Sequence, residues 1–133
     1  MNLLSYNCQG LGNNPAVVSL KKLLNKEDVD MAVLVETKLN KTEMKGVARR
    51  LGDYEGIYGD SVGRKAGVSI IWRRQSMNVN FISSSAHHVD IEISGLFSDE
   101  KWRLTGFYGW AESDNKNLSW KLLRDIKDLS NLP

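Results

Sequence analysis

Cysteine is nearly missing from this chain. Cys8 stands alone among 133 residues, which excludes an internal disulfide, leaves no companion for a thiolate metal site and favours a reducing compartment. A charge excess is missing too. Lys and Arg number 18 against 16 Asp and Glu, a formal charge of +2, too little to establish a nucleic-acid partner and too little to exclude one. The N-terminal stretch Met1-Asn2-Leu3-Leu4-Ser5-Tyr6-Asn7 lacks the basic head and long apolar run of a secretory signal. No apolar run approaches the roughly 20 residues that span a bilayer. No linker, repeat or low-complexity tract interrupts the sequence, so residues 1–133 are expected to form one structural unit. With 41% hydrophobic and 26% charged residues, the composition is that of an ordinary globular domain, expected to be soluble and intracellular.

The patterning is mixed. Residues 2–7 read as a short strand carrying Leu3, Leu4 and Tyr6. A turn-rich loop follows, and Asn14-Pro15 marks a helix start, with Asn14 as N-cap and Pro15 at the first helical position, where a missing N–H costs nothing. Val17, Leu20, Leu23 and Leu24 recur at helical spacing, which predicts an amphipathic helix from Pro15 to Asn25. Met31 to Val35 is an unbroken apolar run, as expected of a strand covered on both faces. Strand, helix and buried strand make a βαβ unit. A second helix is predicted over Thr42–Leu51, with Thr42 or Asn40 as cap and Gly52 as stop.

Beyond Gly52 the pattern turns to strands. Tyr54–Tyr58, Gly67–Trp72, Asn78–Ser83, Val89–Ile93 and Lys101–Tyr108 are β-rich and separated by turn residues. Val79, Phe81 and Ser83 alternate, as do Val89, Ile91 and Ile93 against His88, Asp90 and Glu92, which predicts antiparallel strands with one buried face. A last helix is expected over Leu118–Leu129. The sequence then stops at Asn131-Leu132-Pro133, where an α/β architecture would continue into another strand, so it reads as unfinished. The expected class is α/β in the broad, α+β sense.

Two polar residues sit where parallel strands should end. Asn7 closes the first strand and Glu36 follows Val35, and in a βαβ unit both ends lie on one edge of the sheet, the edge where open α/β sheets place ligands. A carboxylate beside an amide oxygen is a hard donor pair, suited to Mg²⁺ with water and phosphate in its other positions. Tyr108 ends a later strand, and its phenol could orient a phosphate. A solvated loop residue or a helix cap is the competing reading of Glu36. Among other candidates, Arg49-Arg50, Arg64-Lys65 and Arg73-Arg74 could form a phosphate-facing stripe, or be solvated charge. Trp72, Trp102 and Trp120 read as packing residues, while Trp110 could be exposed near a groove. Gly10 and Gly12 lack the rest of a dinucleotide fingerprint. His87 and His88 read as surface or sheet-packing residues with side chains on opposite faces, and Cys8 as a small buried residue.

Asn-Cys-Gln-Gly-Leu-Gly at 7–12, Glu-Thr-Lys-Leu at 36–39, Asp-Ser-Val-Gly-Arg at 60–64, Gly67 to Trp72, His88-Val89-Asp90, Trp102 to Gly109 and Ser119-Trp120 occur in that order. This series resembles the opening of the endonuclease/exonuclease/phosphatase superfamily, most closely the endonuclease domain of plant non-LTR, LINE-type retrotransposon polyproteins. The resemblance covers essentially the whole chain. It implies a DNase I-like two-sheet sandwich flanked by helices, of which residues 1–133 would be the N-terminal half of a truncated domain. It further implies that Glu36 holds Mg²⁺ or Mn²⁺, that Asn7 hydrogen-bonds within the active-site shell and that Tyr108 contacts the scissile phosphate. Arg64 and Lys65 would touch phosphates in the groove. DNA would be the partner, with no membrane and no disulfide partner, in the nucleus or the cytoplasm.

The chain departs from the family at Tyr6, where tryptophan is usual, at Ala66, where glycine is common, and at Ala111, where proline is usual. A larger departure is the absence of the Gly-Asp-Phe-Asn and Ser-Asp-His motifs, which supply the groups around the attacking water. The expected function is therefore a fragment of a Mg²⁺-dependent phosphodiester-cleaving endonuclease domain, inactive alone. The alternatives are a phosphatase of the same superfamily and a non-catalytic nucleic-acid-binding module.

Overall fold

Strand β1 (Leu3–Asn7), helix α1 (Asn14–Lys26) and strand β2 (Met31–Val35) form the expected βαβ unit, with β1 and β2 parallel and in register from Leu3↔Met31 to Asn7↔Val35. The computed structural model describes residues 1–59, 67–97 and 99–108. Helix α2 (Lys41–Leu51) leads to β3 (Tyr54–Tyr58), β4 (Val68–Arg73), β5 (Met77–Ser84), β6 (His88–Gly95) and β7 (Lys101–Phe107). These make two sheets, one ordered β1-β2-β4-β3 and the other β5-β6-β7, antiparallel apart from the β1–β2 pair. The helix expected at 118–129, Trp110, Trp120 and the Asp60–Arg64 motif lie outside the described residues.

The two cores follow from the period-two alternation of β2 and β4. Ala32, Leu34 and Ile71 face α1 and α2, where they meet Val17, Leu20, Leu24, Met44, Val47 and Leu51. Met31, Val33, Val68, Ile70 and Trp72 face the second sheet and meet Val89, Ile91 and Ile93. An unbroken apolar run is what a strand covered on both sides requires, and Trp72, as expected, packs in the core. Its indole donates to Glu55 Oε1 at 2.8 Å.

The sheets come together closely at Gly106 on β7. A Cβ there would lie 2.8 Å from Val33 Cγ1 and 3.3 Å from Val68 Cγ1, too near for carbon atoms in a packed interior. Gly106→Ala should therefore lower stability by about 1–3 kcal/mol, the usual cost of overpacking. Chemical denaturation measures it, and a neutral effect would mean that the layers are not in contact at β7.

Local details correct the reading of the sequence in several places. The cap of α1 is Asn13, not Asn14; its side chain accepts from Ala16 N at 2.9 Å. Asn14 instead accepts from Arg50 Nη2 and so ties α1 to α2. Both asparagines are good caps, and Pro15 fits either frame because the first-turn N–H groups have no helical partner in any case. For α2 the cap is Asn40, in a reciprocal box with Glu43. Phe81, expected on the buried face of β5, is 56% exposed. A bulge between Phe81 and Ser83 shifts the register beside it. On β6 the polar face is covered: His88 and Asp90 are buried, so the strand does not have the solvated side that alternation predicted.

Candidate active site

The parallel register of β1 and β2 brings Asn7 and Glu36 to one rim. Asn7 pairs with Val35, and Glu36 is the next residue. Past the strand ends the two chains stay together: Cys8 N donates to Val35 O at 2.9 Å, Gly10 N to Glu36 O at 2.8 Å and Leu11 N to Thr37 O at 3.0 Å. Thr37 N reaches Gly67 O at 3.2 Å, which ties the start of β4 to the same rim. The backbone turns here are left-handed. Gln9, Glu36 and Lys38 have φ of 50°, 55° and 59°, beside Gly10 at 94° and Gly67 at 100°. Non-glycine residues held in this region each cost on the order of 1–3 kcal/mol, and such strain gathers where a site needs fixed geometry.

The side chains at the rim are polar and partly open. Asn7 is exposed, and its Oδ1 accepts from Gln9 N at 3.0 Å, a local turn that fixes the amide. Glu36 is partly exposed, with Lys38 Nζ 3.7 Å from its Oε1. Beneath them Cys8 is buried, and its thiol is pushed up to about 12 by burial, with the Glu36 charge adding to the effect. A thiol that resists ionisation is a packing residue, not a nucleophile.

Tyr108 follows β7 directly and packs against the core between the sheets. Its N–H donates to His87 O at 2.8 Å, and its carbonyl lies 2.9 Å from His87 Nδ1. The β5–β6 turn carrying His87 meets the same rim at Gly59, where a Cβ would lie 2.8 Å from Val68 O and 2.9 Å from Ser85 O. Asn7, Glu36 and Tyr108 thus lie along one end of the two sheets. Arg64 and Lys65 fall outside the described residues. The Arg73-Arg74 pair does not extend the rim. Arg73 and Arg74 stand at the opposite end of β4, where Arg73 pairs with Asp28 at 2.5 Å and Asp30 at 3.6 Å, and Arg74 with Asp53 at 3.2 Å.

Of the two histidines, read in the sequence as surface or sheet-packing residues, His88 packs within the second sheet and His87 is half-buried beside it. His87 precedes β6, so strand alternation does not govern it, and its ring turns to the backbone of Tyr108. His88 lies buried between two hydroxyls, Ser83 Oγ 2.9 Å from Nε2 and Ser85 Oγ 2.7 Å from Nδ1. Burial lowers its pKa; Asp90 works against this and His87 with it. The fold therefore prefers the neutral ring. Stability from this source is fully present above the unfolded value of about 6.5 and is lost as pH falls below it through the depressed folded value. The melting temperature of the wild type should accordingly fall faster than that of His88→Gln as pH drops below about 6.5. Parallel profiles would remove His88 from the account.

In the sequence Lys38 was visible only as a member of a motif, and His87 only as one of a pair. Among the described residues no cluster of three or more His, Cys, Asp and Glu side chains is placed to hold a metal ion. The donor set still fits Mg²⁺, which commonly binds through one or two carboxylates and keeps several waters.

No protein-family model matches the chain, and no curated protein matches it in sequence. Solved structures do. The chain superposes on the endonuclease domain of TRAS1, a telomere-specific non-LTR retrotransposon, with a TM-score of 0.69 at 12% identity, covering 95% of this chain and 53% of that one. It superposes on the catalytic domain of Xenopus laevis APE2 with a TM-score of 0.62 at 17% identity, covering 97% and 51%. The fold is the DNase I-like one. ANGEL2, a 2',3'-cyclic phosphatase, shares it with a TM-score of 0.58 at 13% identity, covering 85% and 40%. DNase I-like neighbours thus include both nucleases and a phosphatase. The chain spans about half the length of the retrotransposon domain and of the APE2 catalytic domain.

Proposed function

We propose that this chain carries one side of the active site of a metal-dependent phosphodiester-cleaving domain of the retrotransposon-endonuclease kind, and that it does not cleave alone. The observation that carries this reading is the adjacency of Asn7 and Glu36 at the carboxyl edge of β1 and β2, in a fold shared with a retrotransposon endonuclease.

Glu36 would hold the divalent cation, with Asn7 beside it. When bound, Mg²⁺ or Mn²⁺ would polarise a phosphodiester oxygen and offset charge on the leaving oxygen. The chain's own residues supply position. Asn7, fixed by its turn to Gln9, can orient a phosphate or a water with its amide. Tyr108, held through both backbone groups by His87, presents its phenol as a donor to a phosphate oxygen. Arg64 and Lys65 are proposed to neutralise neighbouring phosphates, which would make binding salt-dependent. None of these groups is a base placed to activate water. The lack of one costs on the order of 10²–10⁴ in rate, and the missing Gly-Asp-Phe-Asn and Ser-Asp-His groups should remove most of the rest.

The test is a plasmid-nicking and duplex-retention assay on pure protein. No Mg²⁺-dependent nicking is expected, while retention of DNA should weaken with salt and require both the cation and Glu36. Nicking that Glu36→Ala abolishes would keep the site and refute the inactivity. Retention that survives EDTA and Glu36→Ala would replace the proposal with a non-catalytic binding module. The similarity to ANGEL2 favours a second reading, hydrolysis of a small phosphate ester, and turnover of such an ester without DNA retention would support it.

A further inference from the structure

We infer that Lys38 is the resident counter-ion of the Glu36 carboxylate, and that a divalent cation binds at Glu36 only by displacing it. This deepens the reading of Glu36 as the cation-holding residue and rests on it. Lys38 Nζ lies 3.7 Å from Glu36 Oε1, and both side chains are partly exposed. A divalent cation on Oε1 would stand close to the Lys38 ammonium and be repelled by it, so its entry there requires the ammonium to move away.

The rim fixes one partner and leaves the other mobile. Glu36 is held by the hydrogen bond from Gly10 N to its carbonyl and by its left-handed backbone. The Lys38 stem runs past Gly10, where an added Cβ would lie 3.5 Å from Lys38 Cδ. Its ammonium sits at the end of four flexible methylenes and can withdraw to water. A partly exposed pair of this kind is weak, so the lysine tunes cation entry without blocking it. Lys38 acts through Glu36 and is a positioning residue rather than a catalytic one.

Mn²⁺ titration of the full 133-residue chain tests this, read by the paramagnetic signal of free Mn²⁺ and by calorimetry at low ionic strength. Lys38→Met keeps the stem and removes the charge, and should bind Mn²⁺ about two- to five-fold more tightly than wild type. Lys38→Arg should keep the wild-type affinity, and added KCl should shrink the advantage of Lys38→Met. Lys38→Gln serves if circular dichroism shows the methionine variant unfolded. Binding that requires Glu36 but ignores the charge at position 38 would overturn the inference about Lys38 alone. Binding untouched by Glu36→Gln, or none in any variant, would overturn the reading of Glu36 and this inference with it.

Discussion

Asp90→Ala is expected to destabilise the protein by about 3–5 kcal/mol, the usual cost of removing one member of a buried ion pair. The Asp90 side chain is fully buried, and the Arg103 side chain that meets it is 8% exposed. Arg103 Nε donates to both carboxylate oxygens, at 2.9 and 3.1 Å, and Nη2 donates to Oδ2 at 2.5 Å. Thr105 Oγ1 adds a bond to Oδ1 at 2.9 Å. The hydrogen bond to Asp90 raises the guanidinium pKa above the ordinary arginine value, against a smaller lowering by burial. Alanine at 90 would withdraw the carboxylate from a cation with little access to water. Asp90→Asn keeps the shape and some acceptors and should cost less. The double variant Asp90→Ala/Arg103→Met should recover part of the loss, because no buried charge is then left behind. Urea denaturation measures all three, and a loss below about 1 kcal/mol for Asp90→Ala would show an exposed pair.

That network also marks the limit of what the sequence discloses. Alternation on β6 identifies which side chains share a face, and Val89, Ile91 and Ile93 do face the inter-sheet core. It does not tell whether the opposite face is covered, so the burial of Asp90 was out of reach and His88 was left between surface and sheet packing. Apolar runs and caps were the legible signals. Met31–Val35 is read to the residue because both faces are buried, and the Asn40–Glu43 box has a fixed spacing. The start of α1 was not read to the residue, since adjacent asparagines are equally good caps by residue type and Asn13 is the one whose side chain reaches Ala16 N. At the site, the meeting of Asn7 and Glu36 follows from parallel strands alone. The Glu36–Lys38 pair does not, because it depends on left-handed turns at residues that are not glycine. The His87–Tyr108 contact joins positions 21 apart through a turn whose shape leaves no periodic trace.

Leu34→Ala and Ile70→Ala should each cost about 2–5 kcal/mol, a large share of the roughly 5–15 kcal/mol that stabilises a domain of this size. Both side chains are fully buried, on adjacent central strands but on opposite faces. Leu34 meets the helices and Ile70 meets the second sheet. If the layers fold as one unit, each substitution should shift the helical circular dichroism and the tryptophan fluorescence by the same amount, with Trp72 of the inter-sheet core contributing to the latter. Leu34→Ala shifting the helical signal alone would show that the layers unfold separately. The outcome bears on the site. Glu36 follows Leu34 by two residues, and its position depends on β2 being held from both sides. If Glu36 holds the cation as proposed, stability lost at Leu34 should therefore appear as lost Mn²⁺ binding once the strand begins to open.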